Sequence, residues 1–475
     1  MKKWIAQSRK FILFLLPLAF GLIGLAGVAG EPFLNSLYQC IGMYLMDYGD
    51  TPPNLWVEIA RWTAPLATAS WVVFAFVALR RVLGSWLQYL RADSVAVYGP
   101  EPVVSLLLDR LGSRGIAGGH SLLPAHRYIL VGPEEKSLSF YREHQQALAD
   151  KPVYLQSRSL SPLASNQPLL KFFCPEANAA RLFWQTRELY PISRRKAHHL
   201  QIVLLGFGRL GEELLLRGLL VNIFAPDQCI QYHIFGTGDR FEAVHKGIAQ
   251  VEDPVIFHQE PWYAQLNLIE QADLLLVLEQ EDQPRLLEDL LLATTRQEID
   301  VFAGDTLAIS PLEQNKRLRL FPWEQMAYTP EILLDDSLMT RAKAINLRYC
   351  HLYDKVAETA ENREAEWAKL DSFTRESNIS AADYHLIRLE MLKDKGLPAS
   401  AENLPGQTLE LLAELEHIRW CRYHYLHNWT WGQPEGGKRK DPVRRIHADL
   451  LPYGQLTEAE KEKDRENIRI LLSVE

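Results

Sequence analysis

Cysteine is scarce in this chain, and positive charge is not in excess. Five cysteines among 475 residues (Cys40, Cys174, Cys229, Cys350 and Cys421) stand far apart, with no C-x-x-C pair. That spacing argues against a disulfide framework and against the usual zinc sites, and it suits reduced thiols. A net charge of −8 argues against nucleic acid as a bulk partner. A recognisable catalytic pattern is also lacking. No His or Lys stands in a hydride-transfer arrangement, and the tandem His198-His199 reads as a polar lead-in to a strand rather than a metal pair. The chain is therefore read as a non-enzyme. Its length is enough for three or so folded units.

Long uncharged runs are confined to the N-terminus. Phe11 to Gly30 and Trp62 to Leu79 each have the length of a helix across a bilayer core of roughly 30 Å. Lys2, Lys3, Arg9 and Lys10 precede the first, and Arg80, Arg81 and Arg91 follow the second. Between them Glu31, Asp47, Asp50 and Glu58 outnumber Arg61. The expectation is two transmembrane helices in a bacterial inner membrane, with both termini and the bulk of the chain cytoplasmic. The alternative for the first run is a signal peptide, given its basic start and the small residues Ala26 to Gly30. The intervening Phe33 to Met46 and Tyr48-Gly49-Asp50 sketch a potassium-channel pore. A filter needs backbone carbonyls presented by glycines, and Leu45, Met46 and Asp47 stand where those residues would be. An interfacial helix and loop is the simpler reading.

Beyond Arg91, short apolar runs alternate with amphipathic helices, the mark of a parallel α/β sheet. Strands are predicted at Ser94 to Tyr98, Arg127 to Val131 and Pro152 to Leu155, with helices at Pro102 to Leu111 and Ser137 to Leu148. This first unit has the outline of a Rossmann fold without its glycine pattern. A second unit begins with the strand Gln201 to Leu205, followed directly by Gly206-Phe207-Gly208-Arg209-Leu210-Gly211 and a helix from Glu212 to Leu220. Such glycines permit a tight turn and a close approach to a pyrophosphate at a helix N-terminus. Further strands are predicted at Gln231 to Phe235, Leu274 to Leu278 and Ile299 to Phe302, with a helix from Leu286 to Ala293. The strand that should end in an acid to hold ribose hydroxyls ends Phe235-Gly236-Thr237-Gly238, and the first acid is Asp239. Over roughly residues 94–305 the order of elements, with Gly206, Gly208 and Gly211, resembles the TrkA-N (RCK) regulatory domains of potassium transporters and channels. Pro175 to Leu182 fits a helix linking two such units. The resemblance implies a nucleotide cofactor, NAD or an adenine nucleotide, near Gly206, Gly208, Arg209, Leu210, Gly211 and Asp239.

The C-terminal part is predicted to be helical. Leu338 to Leu370 reads as one long charged helix, Ser380 with Asp383 as the cap of the next, and Thr408 as the cap of another. Thr457 and Glu460 form a capping box for the last helix. The motifs here are L-A-E-L-E-H-I-R-W (412–420), N-W-T-W-G (428–432), R-K-D (439–441) and a run from His447 to Arg465. Over about 411–471 they resemble the repeat domain of ryanodine receptors, a small helical module that also occurs in bacterial proteins. The resemblance implies a nucleotide-like ligand. Its candidate contacts are His417, Arg419, Trp420, Trp429, Arg439, Lys440, Tyr453, Lys461, Asp464 and Arg465. Aromatic faces would stack on a base and the cations would meet phosphate.

The expected organisation is a membrane region (1–91), a degenerate Rossmann-like unit (92–170), an RCK-like Rossmann unit (171–330), and a linker helix with a ryanodine-receptor-type domain (338–475). The function expected is a membrane-anchored, homo-oligomeric nucleotide sensor that couples binding to the membrane segment. It would gate potassium flux or act as a depolarising defence effector. A structural scaffold and a membrane-tethered NAD-dependent oxidoreductase are the alternatives.

Overall fold

The computed structural model describes residues 14–47, 54–89, 93–157, 169–279, 281–295, 298–303 and 315–474. The chain divides into two compact units, Met1–Ser94 and Val95–Glu475. In the first unit a helix described from residue 14 passes into the π-helical turn Ile23–Val28, and helices α1 (Phe33–Tyr44) and α2 (Leu55–Tyr89) follow. A small core of Leu25, Cys40, Met43, Val57, Ala60 and Ala64 joins them. Asn54 ties two segments by donating to the Gly24 carbonyl at 3.0 Å while its Oδ1 accepts from the Val57 N–H.

The two transmembrane helices expected from the sequence are corrected here. Among the described residues, no helix is long and apolar enough to cross a membrane. The first run turns π-helical and stops at Gly30, where φ is +72°. Its described helical part, residues 14–28, falls short of the ~20 residues that a span requires. Residues 11–13 of that run lie outside the described residues, as does Tyr48-Gly49-Asp50. The second run lies within α2, whose N-terminal half carries Glu58, Arg61, Thr63, Pro65, Thr68 and Ser70. An absence of charge from a window of sequence is a weaker condition than sustained apolarity along a helix.

The second unit holds two parallel sheets. In the first, β1 (Val95–Tyr98), β2 (Gly115–Ala117), β3 (Arg127–Leu130), β4 (Val153–Gln156) and β5 (Leu170–Phe173) lie in the order β2-β1-β3-β4-β5. All pair parallel, which is the strand order of flavodoxin-like folds. Helices α3 (Glu101–Leu111) and α4 (Glu134–Glu143) accompany it.

Helices α5 (Pro175–Thr186) and α6 (Tyr190–Arg195) then lead to the second sheet. Its strands are β6 (His199–Leu205), β7 (Cys229–Phe235), β8 (Val255–His258), β9 (Leu274–Val277), β10 (Ile299–Phe302) and β11 (Leu318–Phe321). They lie in the order β11-β10-β9-β6-β7-β8. This is the doubly wound Rossmann order, with its topological switch point between β6 and β9. Both central strands are buried, so they read as continuous apolar runs, as strands covered on both faces must. Helices α7 (Gly208–Val221), α8 (Asp239–Val244) and α9 (Gln283–Ala293) connect them.

The rest is mainly helical: α10 (Thr340–Asp354), α11 (Ala360–Lys369), α12 (Ser372–Asp394), α13 (Gly406–Leu426) and α14 (Glu458–Leu472). The single long helix predicted at 338–370 is in fact α10 and α11, packed against each other. Lys355 takes a left-handed conformation that ends α10, and Thr359 caps α11 through its side chain. Asp371, not Ser380, caps α12, and Pro405 occupies the cap position of α13, leaving Thr408 buried inside it. The capping box of Thr457 and Glu460 is present.

These helices do not stand apart from the second sheet. Tyr384, Ile387, Met391, Leu415, Tyr423 and Leu426 share one core with sheet residues such as Leu204, Tyr232 and Phe302. Ion pairs reinforce the join, two of them buried and the Arg217–Glu376 pair partly exposed. Arg181 of α5 grips Asp383 of α12 through two bonds of 2.8 and 2.7 Å. Arg422 of α13 meets Asp253 at 2.7 Å, and Arg217 of α7 meets Glu376 at 2.8 Å. The backbones also touch: a Cβ at Gly247 would lie 2.0 Å from the Tyr425 carbonyl oxygen. The residue there must be glycine for α13 to approach so closely.

Removing one partner of such a pair leaves a buried charge unmatched, at a cost of about 3–5 kcal/mol. Asp383→Leu alone should lower urea-unfolding stability by that amount. The double variant Arg181→Met/Asp383→Leu should recover much of the loss. Equal midpoints for the parent and the single variant would show that the pair does not hold the two parts together.

Candidate functional site

A cavity of about 610 Å³ opens where the end of α13 meets the start of α12 and the end of α8. The sequence explains its walls. The helix α13 ends at Leu426 with His427 as its C-cap, and Asn428 adopts a left-handed conformation with φ +59° that an L-residue tolerates best when it is Asn or Gly. Its side chain is also a clip: Oδ1 accepts from the Gly247 N–H at 3.0 Å and Nδ2 donates to the Val244 carbonyl at 2.7 Å. The chain then forms a three-stranded sheet of β12 (Thr430–Trp431), β13 (Lys440–Asp441) and β14 (Ile446–His447), in which β14 is central. Asp441 fixes the β13–β14 loop by accepting from the N–H groups of Val443 and Arg444 at 3.0 Å each. That sheet carries Lys440, Arg445 and His447 to the cavity.

Aromatic rings form the interior. Trp420 lies 4.1 Å from the His424 ring and 4.8 Å from that of His447, centroid to centroid. Phe373 of α12 lies 5.4 Å from Trp429. His424, His427 and His447 are neutral here. Burial lowers His424 to about 3. Burial, then the charges of Lys440 and Arg439, lowers His447 to about 4. Burial lowers His427 as well. Nδ1 of His424 lies 2.8 Å from the Trp420 carbonyl and Nδ1 of His427 lies 2.7 Å from that of Tyr423. A neutral ring in that position donates from Nδ1, which leaves Nε2 as the acceptor. In His447 the roles reverse, because Nδ1 accepts the Asp449 N–H at 3.1 Å. The site therefore offers flat faces, both acceptor and donor nitrogens, and the cations Lys440 and Arg445.

Of the ligand residues expected from the sequence, Trp420, Trp429 and Lys440 line this cavity. The others are placed elsewhere. Arg419 is buried against Glu416 with bonds of 3.0 and 2.8 Å and donates to Ser380 at 3.0 Å. Arg439 is ion-paired with Asp449 and Glu460. Arg465 is held by Glu410, Glu458 and Glu462 at 2.7 to 3.1 Å. Tyr453 donates to Glu410, and Lys461 sits over its ring at 5.4 Å. Phe373, His424, His427, Arg445 and His447 were not named from the sequence. Three of them are histidines spaced along α13 and β14, a signal visible only once the helix end and the small sheet are folded together.

His417 and Asp464 form a separate pair. Nδ1 of His417 lies 3.1 Å from the Asp464 carboxylate and Nε2 lies 2.8 Å from the Leu451 carbonyl oxygen. Both ring nitrogens face acceptors, so the ring is an imidazolium. Burial works against that charge, but the bonds to Asp464 and Cys421 outweigh it and raise His417 to about 10.

At the second sheet, Gly206 has φ +89°, and a Cβ there would lie 2.6 Å from the Glu279 amide nitrogen. Glycine is required for this turn to pass the switch point. Arg209 turns back to Glu212 and Glu213 of its own helix. Leu210 and Gly211 are buried in the helix packing, and Asp239 starts α8. The crevice beside Gly206 is lined by Glu279, Glu281, Asp282 and Asp289, with Arg285. Among the described residues no group of three or more His, Cys, Asp and Glu is arranged to hold a metal ion.

The His417–Asp464 pair predicts a pH dependence. Its imidazolium is favoured by folding, since an unfolded histidine titrates near ~6.5. The resulting stabilisation is complete below that pH and is lost as pH rises through about 10. The stability advantage of the parent over His417→Gln should therefore shrink steadily from pH 7 to pH 10 in urea titrations. An advantage that stayed constant over this range would mean a neutral ring.

The chain matches no curated protein and no solved structure. Its C-terminal part is similar to a known family: residues 399–474, which include α13, the small sheet and α14, match the family model of the RyR domain.

Proposed function

We propose that the C-terminal helical domain is a receptor for a nucleotide-class small molecule, bound in the cavity between α13, α12 and the end of α8. The observation that carries this reading is the composition of that cavity. Two tryptophans, a phenylalanine and the neutral His424, His427 and His447 surround about 610 Å³ of space, with Lys440 and Arg445 among the lining. That volume is within the range of small-molecule pockets, about 300–1,000 Å³. Aromatic faces stack on any planar base, at about 1–3 kcal/mol per base, and the cations offer charge-assisted bonds to an anion.

The nucleotide is placed here and not at the glycine turn. A pyrophosphate beside Gly206 would meet four carboxylates, so the second sheet serves as the scaffold that the receptor leans on. Because Val244 and His245 belong to the sheet's own connections and also line the cavity, a bound ligand would touch both parts of the unit. Binding would thereby favour the arrangement in which α13 and α8 are docked, which is what a sensor requires.

The test is calorimetry on the full chain with adenine and guanine mononucleotides. Lys440→Ala/Arg445→Ala should weaken binding by about tenfold or more, the equivalent of ~1.4 kcal/mol, with the parent's melting temperature retained. Gly208→Asp should leave binding unchanged. The reverse pattern would move the ligand to the glycine turn and overturn the proposal.

A further inference from the structure

We infer that this cavity selects a nucleotide bearing a single phosphoryl group over nucleoside di- and triphosphates. The inference rests on the reading of the cavity as a nucleotide site and concerns the charge that the site can match.

Two cations, Lys440 and Arg445, and one carboxylate, Asp371, line the cavity. The neighbouring arginines of the same loop do not line it and are spent on local acids. Arg439 pairs with Asp449 and Glu460, and Arg444 lies 3.1 Å from Glu435 and 3.9 Å from Asp441. His424, His427 and His447 add no charge, being held neutral by burial. A phosphomonoester carries about −1.5 to −2 at neutral pH, and a cyclic phosphodiester carries one negative charge. Either suits two cations. Each further phosphate adds negative charge with no further cation in the lining to receive it.

Asp371 makes the discrimination active. Its Oδ1 accepts the Thr374 N–H at 2.7 Å as the cap of α12. The cap bond favours this position of the carboxylate, so moving away from a longer phosphate tail costs α12 its cap. Asp371 is exposed, so water weakens its repulsion of a further phosphate without abolishing it, and a like charge placed beside the tail is a standard means of disfavouring a wrong ligand.

Titrations of the full chain with AMP, adenosine 3′,5′-cyclic monophosphate, ADP and ATP in a chelator-containing buffer, repeated with the guanosine series, test this. The expected result is that a monophosphate binds about tenfold or more tighter than the corresponding triphosphate. Asp371→Asn should narrow that ratio, because Asn caps a helix as well as Asp does and removes only the charge. An unchanged melting temperature for the variant confirms the retained cap. Equal or tighter binding of the triphosphate in the parent overturns the inference while leaving the nucleotide site standing. A ratio unaffected by Asp371→Asn, in a variant with the parent's melting temperature, overturns the role of that carboxylate and with it the inference. Absence of binding by every ligand in both series overturns the nucleotide reading itself, and the inference falls with it.

Discussion

The second unit depends on the pairing of largely buried arginines with carboxylates from distant parts of the chain. Arg181 and Asp383, Arg217 and Glu376, and Arg422 and Asp253 each bridge the second sheet's surroundings and the C-terminal helices. A charge removed from water must be matched where it is buried, and these pairs have few alternative arrangements that satisfy both members. Asp253 illustrates the constraint. One oxygen accepts the Ile230 N–H at 2.7 Å, the other accepts Gln228 at 2.7 Å, and Arg422 closes the set. Apolar packing holds the helices against the sheet, and the ion pairs decide their register.

The candidate site follows from that register. Once α13 is set against the α8 segment, its last turn projects His424 and His427 beside Phe373. Asn428 then clips the chain to Gly247 and Val244, and the following residues must turn back as the small sheet. A buried triad, Arg388 and Arg419 on Glu416, fixes α12 against α13. The residues most visibly charged in sequence thus build the frame. The site's own recognition groups are mostly rings, with two cations, Lys440 and Arg445, the latter also donating to the His427 carbonyl at 3.1 Å.

Recognition of the α/β part from sequence succeeded where one physical rule dominates. Strands such as His199–Leu205 and Leu274–Val277 are buried on both faces and stand out as apolar runs, and the turn after β6 shows the glycines that a switch point needs. Short edge strands such as β8 and β11 were missed, because partial exposure leaves a mixed pattern. Helix limits governed by single conformations were also misread. The break at Lys355 has no proline or glycine in α10 to announce it, and Thr408 and Ser380 have capping chemistry but lie inside helices. The uncharged N-terminal runs were over-read as membrane spans, since a lack of charge says little about where a helix turns or how polar its described residues are.

The sequence by itself determined the class of the molecule: parallel α/β layers followed by helices, a glycine turn at a strand end, a capping box at Thr457, and a C-terminal stretch of RyR type. These depend on local periodicity, backbone permissiveness and residue order, which act within a few residues. Only the tertiary structure decided which cations remain available. Arg419, Arg439 and Arg465 look the same in sequence as Lys440 and Arg445, yet the first three are taken by carboxylates, Arg419 by Glu416 of its own helix and the other two partly by acids 21 and 55 residues away. Pairing of charges depends on distance in space, across 55 residues for Arg465 and Glu410 and 202 for Arg181 and Asp383, and that information does not exist until the helices are packed.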